Sequence, residues 1–168
     1  VFEGENTVGE FMTEAGLDNF KLADKNSTLT APEGQTVTTD LEGYTVKYVD
    51  GKYIVKGNRV AIGEETYATL AEALTAAQAG QTITFLADIT EDVTISKNVT
   101  IDGAKFTYTG KMNVTSNKGT VTIKNVNFDG KGYNGYAVEA RGVYYLTVED
   151  CTAKNYGYGF VQTASGTV

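Results

Sequence analysis

Apolar and polar residues alternate in short runs along most of this chain, and one eight-residue form of the alternation occurs three times. Val99-Thr-Ile-Asp-Gly-Ala-Lys-Phe106 is followed by Val121-Thr-Ile-Lys-Asn-Val-Asn-Phe128 and by Leu146-Thr-Val-Glu-Asp-Cys-Thr-Ala153. The first three positions of each copy alternate as a strand with one buried face must. The fifth position is Gly103, Asn125 or Asp150, residue types that tolerate a left-handed backbone at a sharp bend. Beyond the bend, Ala104 and Phe106, Val126 and Phe128, and Cys151 and Ala153 are expected to point inward. The copies start 22 and 25 residues apart, a spacing typical of repeat architectures. One copy cannot bury its own apolar face. Stacking Val99, Val121 and Leu146, and likewise Ile101, Ile123 and Val148, makes a continuous interior. An antiparallel sandwich would need short hairpins between the runs, and the gaps here are too long and too regular for that.

Upstream, Thr7-Val-Gly-Glu10 has the form of a capping box, predicting a helix over about 8–15. Extended segments are expected at Phe20–Leu22, Thr28–Thr30, Thr36–Thr39, Tyr44–Val49 and Lys52–Val55, with a turn at Pro32-Glu-Gly34 and a hairpin at Asp50-Gly51. Gly57-Asn58 marks a boundary, and Val60–Ile62 opens the next unit. Thr69-Leu-Ala-Glu72 is a second capping box. Its helix should run to about Ala79, stop at Gly80, and present Leu70, Ala73, Leu74 and Ala77 on one side. Leu70 and Leu74 are the candidates for covering the open end of the first coil and its unpaired strand edge. Strands at Thr82–Leu86 and Asp92–Ile95 lead into the repeats.

The two helix-led segments resemble each other. Thr7, Glu10, Leu22-Ala-Asp24, Val37 and Asp40 correspond to Thr69, Glu72, Leu86-Ala-Asp88, Val99 and Asp102. This reads as an internal duplication with an abbreviated first copy. The expected organisation is mostly β: a small α+β module over 1–58, then a helix-capped parallel β-helix over 59–168 that stops in mid-rung. With no initiator Met, the chain is expected to be a piece of a longer one.

Tyr67-Ala-Thr-Leu-Ala-Glu-Ala-Leu74, Gly80-Gln-Thr-Ile-Thr-Phe-Leu-Ala-Asp88 and the Val-Thr-Ile rungs resemble the pectate-lyase-like right-handed parallel β-helix modules of large bacterial surface proteins. Gly43-Tyr-Thr-Val-Lys-Tyr-Val-Asp-Gly-Lys-Tyr-Ile-Val55 is similar to the connector that often precedes such modules. The resemblance implies the fold for residues 43–168. It leaves activity open, because the family holds polysaccharide lyases, glycoside hydrolases, esterases and non-catalytic adhesin or stalk segments.

Composition narrows this choice. A net charge of −7 gives no basic stripe for nucleic acid or an anionic membrane, and no apolar run approaches the roughly 20 residues that span a bilayer. Histidine is absent, which removes the commonest general base and transition-metal ligand. The single cysteine, Cys151, is expected to be a buried small hydrophobe. The candidate carboxylates are Asp102, Asp129, Glu139, Glu149 and Asp150; Asp150 reads as a corner residue and Arg141 as a surface partner of Glu139. Asn127, Asp129 and Asn155 are hard oxygen ligands that calcium would accept, yet turn chemistry already accounts for them. Thr100, Thr122 and Thr147 should form an outward column, but of these three only Thr122, with Thr120, has the Thr-x-Thr spacing of an ice-binding array. Asn26, Asn98 and Asn113 begin glycosylation-type triplets, expected by chance in a chain rich in Thr and Asn.

Tyrosine is the unusual feature. Of 11, Tyr133, Tyr136, Tyr144, Tyr145, Tyr156 and Tyr158 fall in the last quarter, interleaved with glycine. A tyrosine offers a flat apolar face and a hydroxyl, suited both to packing between rungs and to stacking on a sugar ring. Tyr133, Tyr136, Tyr156 and Tyr158 are the candidate ligand-binding residues. No catalytic residue, metal ligand or cofactor is assigned. The expectation is a non-catalytic, secreted or cell-surface bacterial segment acting in adhesion or display, monomeric as a fragment, with a glycan or a host or cell-surface protein as partner. The alternative is part of a polysaccharide lyase or glycoside hydrolase whose catalytic rungs lie outside this stretch.

Overall fold

The computed structural model describes residues 4–7, 20–115, 119–141 and 145–163. It divides the chain into two units, 1–58 and 59–168. The helix expected over 8–15 lies outside the described residues, as does Tyr144.

In the first unit, β1 (Glu5–Thr7), β3 (Thr28–Thr30), β6 (Lys52–Gly57) and β5 (Tyr44–Val49) form one sheet in the order β1-β3-β6-β5; β2 (Phe20–Lys21) and β4 (Val37–Thr38) pair in parallel beside it in sequence. β5 and β6 make the hairpin expected at Asp50-Gly51, where both residues take positive φ (49° and 79°), as a two-residue turn matched to strand twist requires. Leu22, Leu29, Tyr53 and Val55 are buried in its core, and the Tyr53 hydroxyl accepts from Gln35 N (2.7 Å) and donates to Pro32 O (3.2 Å). The duplication read from sequence does not extend to burial. Leu22 is buried, whereas its counterpart Leu86 is exposed.

The second unit opens with the antiparallel pair β7 (Val60–Ile62) and β8 (Glu65–Tyr67), then α1 (Leu70–Ala76). The solenoid follows as β9 (Thr82–Phe85), β10 (Ile89–Thr90), β11 (Val93–Ile95), β12 (Thr100–Asp102), β13 (Thr107–Thr109), β14 (Met112–Val114), β15 (Thr120–Lys124), β16 (Asn127–Asp129), β17 (Tyr136–Ala140), β18 (Tyr145–Glu149), β19 (Thr152–Lys154) and β20 (Gly159–Thr163). These strands stack in parallel as three faces, β9-β12-β15-β18, β10-β13-β16-β19 and β11-β14-β17-β20, with β7 and β8 extending the first. The result is a parallel β-helix of about three turns. Ile83, Ile101, Ile123 and Val148 are in register, as are Val121 and Leu146. Threonines 82, 100, 122 and 147 form the outward column beside them. Phe85, Tyr108, Phe128 and Phe160 continue the interior as a run of ring contacts with centroids 6.1, 5.6 and 5.4 Å apart.

The corners depart from the repeat as read from the sequence. Asn125 and Asp150 have the left-handed backbone expected (φ 56° and 51°), but Gly103 does not; there the positive φ falls on Ala104 and Lys105 (47° and 69°). These two residues are an insertion. They loop out, and Tyr108 rather than Phe106 comes into register with Phe128. Ala104 is therefore exposed instead of inward, and Phe106 is half-buried. Gly103 is needed for close approach: a Cβ there would lie 2.6 Å from Val126 Cγ2 and 2.7 Å from Asn125 O of the next rung. Ala153, on the edge strand β19, is exposed, and Cys151, in the corner just before it, is half-buried.

Helix α1 packs on β7, β8 and β11, and Leu70, Ala73, Leu74 and Ala77 join the solenoid core. Thr69 Oγ1 accepts from Glu72 N at 3.0 Å, as the capping box predicts, although the helix ends at Ala76. Two partners come from the first coil. The Glu91 carboxylate accepts from Leu70 N (2.7 Å) and Ala71 N (3.2 Å), while Lys97 Nζ donates to Thr75 O and Ala77 O at 2.7 Å each. Opposite charges thus meet the two ends of the helix dipole and satisfy groups that a seven-residue helix leaves unpaired. Glu91→Ala and Lys97→Met are each expected to lower stability by about 1–2 kcal/mol, read by urea denaturation. A loss of under about 0.3 kcal/mol in both would show that the cap is held by its apolar side alone.

Candidate functional site

The four tyrosines singled out in the sequence come together at one corner of the solenoid, between its second and third faces. That corner is short in the early rungs, where Gly110 and Lys111 suffice between β13 and β14. It lengthens to 130–135 between β16 and β17 and to 155–158 between β19 and β20. The longer loops stack on each other: Gly132 N donates to Asn155 O (3.0 Å), Gly157 N to Tyr133 O (2.8 Å) and Tyr158 N to Gly135 O (3.1 Å). Tyr133 meets Tyr156 edge-on at 6.3 Å, and Tyr136 meets Tyr158 at 5.7 Å.

The glycines interleaved with them provide room for rings. A Cβ at Gly130 would lie 2.9 Å from the Tyr156 ring, and one at Gly135 would lie 2.3 Å from Cε1 of Tyr133. The tyrosines then divide by role. Tyr156 is half-buried and its hydroxyl donates to Gly110 O at 2.6 Å, two rungs away, so it braces the corner. Burial, and then the Asp129 carboxylate, push its phenol up to about 12. Tyr133 and Tyr158 are 39% and 63% exposed, the two most open of the four. Tyr145 is also exposed but stands on the first face.

Two of the candidate carboxylates, Asp102 and Asp129, hold corners. Asp102 Oδ1 accepts from Asn125 Nδ2 (3.1 Å) and Asp129 Oδ1 from Asn155 Nδ2 (2.9 Å), each across one rung. Asp88 and Asp92 do the same for the backbone N–H groups of Thr107 (2.8 Å) and Lys111 (2.7 Å). Glu139 lies 3.8 Å from both Arg141 and Lys111. Asp129 is engaged by Lys154 on the second face, while Glu149 is in register with Lys124 on the first. Asn127, the third oxygen ligand considered for calcium, donates to Lys105 O and accepts from Thr152 Oγ1. Among the described residues no group of three or more acidic, Cys or His side chains is placed to hold a metal. Cys151 Sγ donates to Glu149 O at 3.1 Å and accepts from Val126 N at 3.4 Å; burial pushes its thiol up, toward low reactivity. A depression of about 230 Å³ between α1 and β11 includes Thr75, Asp92, Thr94 and Lys97. Its two charges are already engaged, Asp92 with Lys111 N and Lys97 with the helix end.

These corner bonds carry a pH dependence. Asp102 is pushed up by burial, but bonds from Ala104 N and Asn125 and the Lys124 charge outweigh this and hold it below the ordinary value of 3.8. Asp129 is lowered by Asn155 and Lys131 N, and Asp24 by Asn26 N and Ser27. A carboxylate with a depressed folded pKa contributes stability above its unfolded pKa and loses it as pH falls through the folded one. The urea midpoint is expected to be level from neutral pH to about 5 and to fall below about 4, with a shallower fall in Asp102→Asn. An acid limb unchanged in that variant would remove Asp102 from the account.

The protein is thus a parallel β-helix with a tyrosine-lined corner. It matches no protein-family model, no curated protein and no solved structure. Among the described residues no helix is long and apolar enough to cross a membrane.

Proposed function

We propose that this chain is a non-catalytic segment of a secreted or cell-surface bacterial protein, related to the pectate-lyase-like modules, which acts in adhesion or display by holding a glycan at the tyrosine corner. One observation carries the reading. Tyr133 and Tyr158 are exposed on loops that are themselves stacked and hydrogen-bonded, so two aromatic faces stand on a rigid base instead of filling the core. Preorganised aromatic faces lose little entropy on stacking against a sugar ring. Nearby polar groups suit hydroxyl recognition: Lys131 and Asn134 are exposed on the same loop.

A glycan array followed by titration calorimetry tests this. Tyr133→Ala and Tyr158→Ala are each expected to weaken binding about tenfold, about 1.4 kcal/mol, without moving the melting temperature by more than a degree or two. An array without hits, or binding indifferent to both substitutions, would end the glycan reading. Turnover of polygalacturonate by this chain, with or without calcium, would overturn the non-catalytic assignment in favour of a lyase.

A further inference from the structure

The first coil of the solenoid has an edge that lies well inside the chain. β7 pairs with the outer side of β9, but among the described residues no strand pairs with the outer side of β11, which ends its sheet. In the parallel ladder with β14, Val93 N donates to Lys111 O (3.0 Å) and Thr115 N to Ile95 O (2.9 Å). Alternate residues of such a strand face opposite sides, so the N–H and C=O of Thr94 are turned away from β14. Helix α1 stands on that side, since it packs on β11 and on β7 and β8, which lie beyond β9. The depression of about 230 Å³ lies between the two. Asp92, Thr94 and Ser96, exposed at alternate positions, line it from the strand, and Ala71, Leu74 and Thr75 line it from the helix. Asp92 stands just before β11 and Lys97 shortly after it. Asp92 Oδ1 accepts from Lys111 N and Lys97 Nζ donates to two helix carbonyls, so each charge keeps bonding capacity toward the depression.

The first unit shows what fills the matching place. Aligning Leu22-Ala-Asp24 with Leu86-Ala-Asp88 carries Thr28-Leu-Thr30, which is β3, onto Asp92-Val-Thr94 without a gap. β1 lies parallel to β3 with Thr7 opposite Thr30, and Thr28 N donates to Gly4 O at 3.0 Å. Thr28 and Thr30 thus turn their backbone groups to an extended segment, where Thr94 turns its own to the depression. In the second unit the segment before the helix, β8, pairs with β7 instead.

We propose that the depression between α1 and β11 binds a short extended peptide that pairs in parallel with Thr94. In a parallel pair one residue bonds to the residues before and after the one opposite it. The first residue of a tripeptide accepts from Thr94 N through its C=O, and the third donates its N–H to Thr94 O. Charge sets the direction. A parallel peptide starts beside Asp92 and ends beside Lys97, so its free amine meets the carboxylate and its free carboxylate meets the ammonium. The mode is strand addition to a sheet edge, in which main-chain bonds supply affinity and the flanking groups supply selectivity. The ligand class is oligopeptides of about three residues with both ends charged. The site uses neither Tyr133 nor Tyr158 and is independent of glycan binding at the tyrosine corner.

Amide NMR of the whole chain, titrated with tri-alanine, tests the site. A saturable shift of the Thr94 amide with a millimolar Kd is expected. N-acetyl-tri-alanine methylamide keeps the backbone but loses both end charges, and should bind about tenfold more weakly. Thr94→Pro removes the N–H that the peptide needs and none that β14 uses, as an edge position allows, so the shift read at the Ser96 amide should disappear. Ala71→Phe fills the depression from the exposed side of α1 and is read at Thr94 itself, which keeps the test decisive if Thr94→Pro fails to fold. No saturable shift at Thr94, equal affinity for the two peptides, or binding that survives either substitution would overturn the proposal.

Discussion

Ile123→Asp is expected to lower stability by about 4 kcal/mol or more, a large share of the 5–15 kcal/mol that holds a typical domain together. Ile123 is fully buried, in register with Ile101 on one side and Val148 on the other. A carboxylate placed there has only aliphatic side chains above and below it. It must either stay ionised without a partner or take up a proton at neutral pH, and both are unfavourable. The loss should shrink as pH falls toward 5, because protonation then becomes cheaper. Thr122→Asp on the same strand supplies the control. Thr122 belongs to the outward column and is half-exposed, so its change should stay within about 1 kcal/mol. Urea denaturation of both variants gives the comparison. Equal losses would mean that the two faces of β15 are not distinguished by burial.

Gly110→Ala is the second large effect, about 3 kcal/mol. Gly110 has φ 129°, in a region closed to residues with a side chain, and a Cβ there would lie 2.2 Å from Glu91 O and 2.9 Å from Asp92 Oδ1. The displaced groups are all in use. Glu91 O accepts the hydroxyl of buried Tyr108 at 2.5 Å, the Glu91 carboxylate caps α1, and Gly110 O accepts from Tyr156. One added methyl therefore disturbs the cap, the aromatic interior and the tyrosine corner together. Gly132→Ala separates crowding from backbone strain. Gly132 also has positive φ (89°) but no atom within 4 Å of the added carbon, so it should cost only about 1 kcal/mol. Near-ultraviolet circular dichroism should change in Gly110→Ala and hold steady in Gly132→Ala; similar spectra and similar losses would refute the close-approach argument.

How much of this was legible beforehand depends on the range of the interaction. Val121-Thr-Ile123 had to be a strand with one dry side, because alternation is a property of three neighbouring residues. Asn125 and Asp150 identified their corners because the left-handed backbone is a cost borne within a single residue. Thr69 and Glu72 likewise announced the start of α1. The Ala104-Lys105 insertion was not legible. Phe106 and Tyr108 are both aromatic, and the alternation satisfies either register until Phe128 of the next rung selects Tyr108. The ends of α1 are held by Glu91 and Lys97, about twenty residues away, with no local signal linking them.

The tyrosine corner shows the same division. Composition singled out Tyr133, Tyr136, Tyr156 and Tyr158, but their separate roles depend on which rings lie against glycine backbone and which hydroxyl reaches Gly110. The chain by itself determined a stack of strands with an apolar lining, since no single rung can hide its own Val and Ile side chains from water. Only the stacked structure decided how long each corner is, which aspartate serves which Lys-Asn pair, and which tyrosines remain open to a ligand. Those outcomes are set by contacts between neighbouring rungs, whose residues are some twenty positions apart and meet only after the coil has closed.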